Sequence, residues 1–94
     1  MPSSVRDNHE RRRYELDVPG GHAFIDYRRD AGVVTMVHAE VPEVLQGRGI
    51  GSALVRGALD LARERGEKVI AACPFVAAYV RRHPEYQGLL TAPR

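Results

Sequence analysis

The sequence predicts an α+β domain in which an antiparallel β-meander is followed by a helix, a strand and a second helix. Three observations lead to this fold class. Apolar and polar residues alternate through much of the first half, an apolar period of 3.6 residues follows Gly51, and a short apolar run ends at Cys73. A chain of 94 residues is long enough for one domain. We therefore expect a flexible tail over residues 1–9 and a single domain over residues 10–94.

Three strands are predicted in the first half, over residues 12–16, 22–29 and 33–41. Turn signals at Gly20 and Gly32 separate them, which favours antiparallel hairpins. The third strand alternates most regularly. Its two expected faces carry Val33, Thr35, Val37, Ala39 and Val41 on one side, and Val34, Met36, His38 and Glu40 on the other.

A helix is predicted between Gly51 and Gly66, because apolar residues recur there at helical spacing and glycine is a common helix stop. Residues 68–73 follow as a strand, and their apolar run suits burial on both faces. Pro74 fits the first turn of a second helix, which the pair His83-Pro84 ends. Residues 89–94 are expected to form a loosely packed tail.

The composition excludes several classes of protein. The formal net charge of +2, from 14 basic and 12 acidic residues, is too small for a strongly basic nucleic-acid-binding protein. The single cysteine, Cys73, excludes an intrachain disulfide and a cluster of thiolate ligands. The histidines lack the spacing of a metal motif, and no run approaches the ~18 apolar residues of a membrane span. We expect a soluble cytoplasmic protein without a metal ion.

Three glycines stand at alternate positions directly before the first predicted helix: Gly47, Gly49 and Gly51. Because they lack Cβ atoms, successive backbone N–H groups can turn toward a ligand that approaches the main chain closely. The first turn of the helix adds unpaired N–H groups and a partial positive charge. The turn therefore predicts a phosphate-binding site, and a flexible connection is the alternative. A Rossmann fingerprint and a P-loop both require other spacings.

The letters Q-G-R-G-I-G at residues 46–51 resemble the Q/R-x-x-G-x-G/A motif of the Gcn5-related N-acetyltransferase superfamily. As in that superfamily, they follow a strand and open a helix. Three more segments extend the resemblance: E-V-P at residues 40–42, C-P-F-V at residues 73–76 and R-H-P-E-Y at residues 82–86. Together they are similar to a small, single-domain, acetyltransferase-like subfamily over residues 12–88.

This resemblance implies the acyl-CoA N-acyltransferase fold, with a V-shaped cleft between the third and fourth predicted strands, and acetyl-CoA as the cofactor. The motif's backbone amides would hold the pyrophosphate, and the strand before the motif would lie along the pantetheine arm. The implied cofactor-binding residues are Ala39, Val41, Gln46, Gly47, Arg48, Gly49, Ile50, Gly51 and Ser52. Arg48 could add a charge-assisted contact to a phosphate; the alternative is a solvated side chain without a role.

Acetyl transfer to an amine needs a neutral amine, a polarised thioester carbonyl and an acid for the departing thiolate. Many family members use a tyrosine on the second helix as that acid, which implies Tyr79; a core tyrosine is the alternative. His38 and Glu40 share a strand face and are candidates for the base, or an exposed pair without a role. The segment H-P-E-Y at residues 83–86 departs from the family's usual Gly-Phe.

Cys73 suggests a second mechanism. A thiol beside a helix N-terminus at the cleft could take the acyl group before passing it on. The alternative is a small buried hydrophobe at the end of an apolar strand. Direct transfer is usual for the superfamily.

Two other functions stay open. The domain is too short for the helices and strands that build the acceptor pocket in larger relatives, so it could bind coenzyme A without turnover. Its acceptor side would then be open, or completed by a partner protein or a second subunit of a homodimer. Arginines at residues 11–13, 28–29 and 81–82 suggest nucleic-acid association, which the small net charge disfavours. The sequence does not identify the amine or protein acceptor.

Overall fold

The computed structural model describes residues 4–92, which fold as one five-stranded sheet with two α-helices. Its elements are β1 (Arg6–Asn8), β2 (Arg13–Val18), β3 (Gly21–Asp30), β4 (Val33–Glu40), α1 (Ile50–Glu64), β5 (Lys68–Ala71) and α2 (Pro74–Arg82). Short 3₁₀ helices cover Glu43–Leu45 and Pro84–Leu89. The outer parts of the two predicted tails, residues 1–3 and 93–94, lie outside the described residues.

The strands lie in chain order across the sheet, and each neighbouring pair is antiparallel except the last. β4 and β5 are parallel, with Val33 beside Lys68 at one end and Met36 beside Ala71 at the other. Parallel neighbours need a crossover connection, which α1 supplies. The predicted α+β class, a meander followed by helix, strand and helix, is confirmed.

Residues 6–8 and 89–91 are more ordered than the sequence suggests. Residues 6–8, placed in a tail by the sequence analysis, pair with β2 as a strand. Three residues are too few for an apolar period to be visible, which explains why the pattern did not reveal them. At the other end, Leu90 pairs with Val69, and the Thr91 N–H donates to the Val69 carbonyl oxygen at 2.9 Å. Residues 89–91 are therefore held against β5 rather than loosely packed.

The pairing of β3 with β4 contains a β-bulge at Val37. Asp26 lies beside His38, but the next residue, Tyr27, lies beside Met36. Val37 is therefore the extra residue on β4 and has no partner in the register.

This extra residue reverses the alternation of side chains along β4. The residues that pack on the core are Val34 and Met36 before the bulge and Ala39 and Val41 after it. His38 and Glu40 face the opposite side, where both are exposed. The prediction of one uninterrupted alternation over residues 33–41 was wrong at this point, because a bulge leaves no mark in a run of apolar residues.

Both helices pack on the same face of the sheet and share one hydrophobic core with it. α1 contributes the fully buried Leu54 and Leu59, and α2 contributes Val76 and Val80. Each buried leucine stabilises the fold by about 1.5–3 kcal/mol relative to an exposed one. Within residues 4–92, we find no helix with the length and apolarity needed to cross a bilayer.

The carboxylate of Asp7 ties β1 to the rest of the domain. Its side chain is 1% exposed and accepts hydrogen bonds from the Tyr27 hydroxyl, Arg29 and Arg65. Arg29 also pairs with Glu67 at 2.6 Å, so the cluster joins β1, β3 and the end of α1. Burial alone raises the pKa of Asp7, but the three hydrogen bonds outweigh burial and hold the pKa below its ordinary value.

Candidate functional site

The turn before α1 has the backbone that only glycine adopts easily. Gly47 has φ 84° and Gly49 has φ 75°, both in the left-handed region. Gly49 is also the N-cap residue of α1, and no side chain caps the helix there. The first intrahelical bond is donated by the Ala53 N–H to the Gly49 carbonyl oxygen at 3.0 Å. The N–H groups of the first turn therefore point out of the helix end, and no side chain of residues 4–92 accepts a hydrogen bond from them.

The residues before the turn fix its path. The 3₁₀ helix Glu43–Leu45 places the buried side chain of Leu45 under the turn. The Gln46 side-chain amide donates to the Val41 carbonyl oxygen at 3.3 Å, which links the turn to the end of β4. Arg48 is exposed and forms no ion pair with any residue of 4–92. A cation free of partners at a helix N-terminus suits an anionic ligand.

A cleft of about 430 Å³ lies between this turn and β4. Its lining residues are Ala39, Val41, Leu45, Gln46, Gly47, Gly49, Gly51, Ser52, Leu54 and Phe75. The structure thus brings together seven of the nine residues implied as cofactor-binding. Arg48 and Ile50 do not line the cleft.

Phe75 is a cleft residue that the sequence analysis counted only as part of an apolar helix side. Its ring lies over Gly51, so that a Cβ atom on Gly51 would stand 2.6 Å from the Phe75 Cζ atom. The ring is 47% exposed and forms one wall of the cleft. Gly51 is therefore needed for space rather than for its backbone angles. An aromatic residue directly after the helix-starting Pro74 is the signal that could have indicated this contact.

β4 and β5 separate beside the cleft. Their last paired residues are Met36 and Ala71, after which the Cys73 N–H donates to the Met36 carbonyl oxygen at 2.8 Å. Pro74 then turns the chain into α2, while β4 continues to Glu40. Among the described residues, no strand pairs with this last part of β4 on the β5 side. The separation forms the V-shaped opening that the resemblance implied.

Tyr79 lies away from the cleft, in the contact between α2 and the segment that follows it. Its ring stacks on His83, with centroids 3.9 Å apart, and it is 8% exposed. It is not among the residues that line the cleft. Burial raises the pKa of Tyr79, so its hydroxyl keeps its proton at neutral pH. Its role as the acid stays a prediction.

His38 and Glu40 lie close together but on the face of the sheet opposite the helices. The His38 Nε2 and Glu40 Oε1 atoms are 3.4 Å apart, and both side chains are more than half exposed. Neither residue lines the cleft, because the bulge at Val37 turns both away from it. Their role as the base also stays a prediction.

Cys73 lies at the point where the strands separate. It is the N-cap residue of α2, and its side chain is buried with the core. The thiol is covered in this structure, and its role as an acyl carrier stays a prediction.

Comparisons with known proteins agree with this geometry. A model of the GCN5-related N-acetyl-transferase family matches residues 13–89. The chain is 34% identical to Protein NATD1 of Xenopus tropicalis over 92 residues, which cover 93% of this chain and 84% of that protein. It is 32% identical to human Protein NATD1 over 91 residues, covering 94% and 80% of the two chains.

A solution structure shows the same fold. A GCN5-like protein from Staphylococcus aureus superposes with a TM-score of 0.71 at 24% identity, over 100% of this chain and 93% of that one. The family match, the sequence relatives and the shared fold confirm the resemblance drawn from residues 46–51. The chain belongs to the GCN5-related N-acetyltransferase family.

Proposed function

We propose that this protein binds acetyl-CoA in the cleft beside the glycine turn and transfers the acetyl group to an amine. One observation carries the proposal. The left-handed turn at Gly47 and Gly49 and the uncapped first turn of α1 border the same cleft as the end of β4. That arrangement offers backbone N–H donors to a pyrophosphate and a strand edge to the amide groups of a pantetheine arm.

The charge of Arg48 and the apolar walls of the cleft also support acetyl-CoA as the ligand. Arg48 is exposed at the turn, so it can reach a phosphate from outside the cleft. Phe75 and Leu54 give the cleft apolar walls, against which the methylene groups of the arm would pack. We infer that the thioester lies toward the separation of β4 and β5, at the far end of the arm from the phosphates.

In the proposed transfer, a neutral amine attacks the thioester carbonyl carbon. A C–N bond forms, the C–S bond breaks, and the proton lost by the amine balances the one gained by the departing thiolate. A main-chain N–H at the strand separation could polarise the carbonyl oxygen. The protein's contribution is then chiefly to hold the two reactants together in the right orientation.

One observation favours a second candidate function, the binding of coenzyme A without turnover. Among the described residues that line the cleft, none has an ionisable side chain. An acid or base for the transfer must therefore come from outside the cleft, as Cys73 or Tyr79 would. A binding module needs neither.

Calorimetric titration with acetyl-CoA and with free coenzyme A tests the proposal. We expect micromolar dissociation constants for both, because the pyrophosphate contacts are common to the two ligands. Incubation with acetyl-CoA and primary amines then distinguishes the two candidate functions. An enzyme releases the free thiol of coenzyme A, and a binding module does not. Absence of binding by either ligand would overturn both candidate functions.

The Cys73 route makes a separate prediction. If the thiol takes the acetyl group first, incubation with acetyl-CoA adds one acetyl group to the wild-type chain, and Cys73→Ser loses this adduct. The bond formed is a thioester on Sγ, and coenzyme A leaves with the proton of the thiol. Intact-protein mass spectrometry measures the adduct. Equal thiol release by wild type and Cys73→Ser would support direct transfer instead.

A further inference from the structure

A second and larger cavity lies at the paired part of β4 and β5. It has a volume of about 600 Å³, and most of its lining is apolar. Thr35 and Ile70 form its floor; because they alternate with the core residues Val34 and Val69, they lie on the sheet face opposite the core. Ala77 of α2 also lines the cavity. Leu90 and Thr91 form one side of this cavity, which we call the lower groove.

The other side of the lower groove is formed by β3. Arg28 and Asp30 line it, and the register places them beside Thr35 and Val33. Both side chains are exposed, and neither forms an ion pair with a residue of the described range 4–92. Two residues apart on one strand, they point to the same face. The groove therefore presents one cation and one anion side by side above an apolar floor.

The far end of the lower groove reaches the strand separation. Ala72, the first residue after β5, lines the groove there, directly before Cys73. The cofactor cleft borders the same separation from the helix face, through Ala39 and Phe75. The two cavities thus approach one point of the sheet from opposite faces. An acceptor in the lower groove and a thioester in the cleft would meet at that point.

The dimensions select a class of acceptor. Neighbouring strands lie about 4.8 Å apart and residues rise about 3.3 Å along a strand, which puts the Arg28 and Ala72 main chains about 12 Å apart. If the exposed Arg28 side chain extends toward Ala72, it covers about half of that distance. An aliphatic arm of four methylenes, about 6 Å long given C–C bonds of about 1.5 Å, covers the rest.

We propose that the lower groove binds a free α-amino acid whose aliphatic side chain ends in a primary amine, such as lysine. This inference rests on the proposed acetyl transfer. The α-carboxylate pairs with Arg28, the α-ammonium pairs with Asp30, and the methylenes lie on Thr35 and Ile70. The terminal amine then reaches the strand separation beside Ala72. Acetylation at the terminal nitrogen, rather than at the α-nitrogen, follows from this orientation.

Amide chemical shifts of ¹⁵N-labelled protein test the site directly. L-lysine is expected to shift the Val33, Thr35 and Ile70 amides, whereas acetyl-CoA shifts those of Gly47 and Gly49. Arg28→Ala should weaken lysine binding at least about tenfold, because it removes a charge-assisted contact, and leave acetyl-CoA binding unchanged. Arg82→Ala, which removes an exposed arginine from the end of α2, is the matched control and should change neither.

Analogues of lysine test the two head-group contacts. 1,5-Diaminopentane lacks the carboxylate and 6-aminohexanoate lacks the α-ammonium, so each should bind more weakly than lysine. Nα-acetyl-lysine methylamide, which imitates a lysine within a peptide, should bind most weakly. Equal shifts by this analogue and by lysine would overturn the proposal, as would no groove shifts with any of these amines. A shift of Thr35 with lysine, together with no shift of Gly49 when acetyl-CoA is added, would instead contradict the cofactor site and leave the groove in place.

Discussion

Gly49→Glu is expected to lower the affinity for acetyl-CoA at least about a hundredfold, equivalent to about 2.7 kcal/mol. Gly49 has φ 75°, is the N-cap residue of α1 and lines the cleft. A glutamate there would place a carboxylate where the proposed pyrophosphate lies. Two negative charges in direct contact within a binding site repel each other by several kcal/mol. Calorimetric titration with acetyl-CoA measures the loss.

A matched variant separates charge from backbone strain. Gly66 lies at the other end of α1 with φ 68°, and, like Gly49, it has open space where a Cβ atom would stand. Gly66→Glu therefore introduces the same residue with a similar strain of about 1–2 kcal/mol, but far from the cleft. Thermal unfolding of both variants tests whether each is folded. If the two variants bind acetyl-CoA equally well, the glycine turn is not the phosphate site.

Asp7→Ala is expected to destabilise the domain by about 3 kcal/mol, measured as the free energy of unfolding in urea. The substitution leaves Arg65 without its buried partner and removes the acceptor of the Tyr27 hydroxyl. Asp17→Ala is the control. Asp17 pairs with Arg6 at the surface, where it is 71% exposed and solvent screens the pair, so its loss should cost much less than that of Asp7. If Asp7→Ala and Asp17→Ala lower the free energy of unfolding equally, the buried cluster stabilises the fold no more than a surface ion pair does.

The stabilisation by Asp7 depends on pH in a defined direction. Because the folded state holds its pKa below the unfolded value of about 3.9, the contribution is fully present above that value. It is lost as the pH falls through the folded pKa. The difference in unfolding free energy between wild type and Asp7→Ala should therefore be constant near pH 7 and shrink below about pH 4. If the difference in unfolding free energy between wild type and Asp7→Ala does not change with pH, the Asp7 carboxylate is not the group that stabilises the folded state.

The fold and the cleft beside the glycine turn could be predicted because their signals are local. Alternation marked β3, the helical period marked α1, and the glycines at residues 47, 49 and 51 stood directly before that helix. Each signal depends on residues that are neighbours in the chain. Seven of the nine implied cofactor-binding residues accordingly line one cleft.

The features that the sequence did not reveal depend on contacts between distant residues. β1 is held by Asp7, whose partners Arg29 and Arg65 lie more than twenty residues away. Phe75 belongs to the cleft only because α2 returns to the start of α1. The catalytic residues were the least predictable. Whether Tyr79 faces a ligand or His83 is decided by the segment after α2, and its sequence departs from the family's pattern.

The bulge at Val37 has a consequence for how β4 can serve two reactants. Before the bulge, the odd-numbered residues Val33 and Thr35 line the lower groove; after it, the odd-numbered Ala39 and Val41 line the cleft beside the glycine turn. A regular strand would display all four on a single side, so that donor and acceptor would compete for the same space. One inserted residue instead gives the two halves of the strand opposite orientations. The donor and the acceptor proposed above could then approach the strand separation from opposite faces of the sheet.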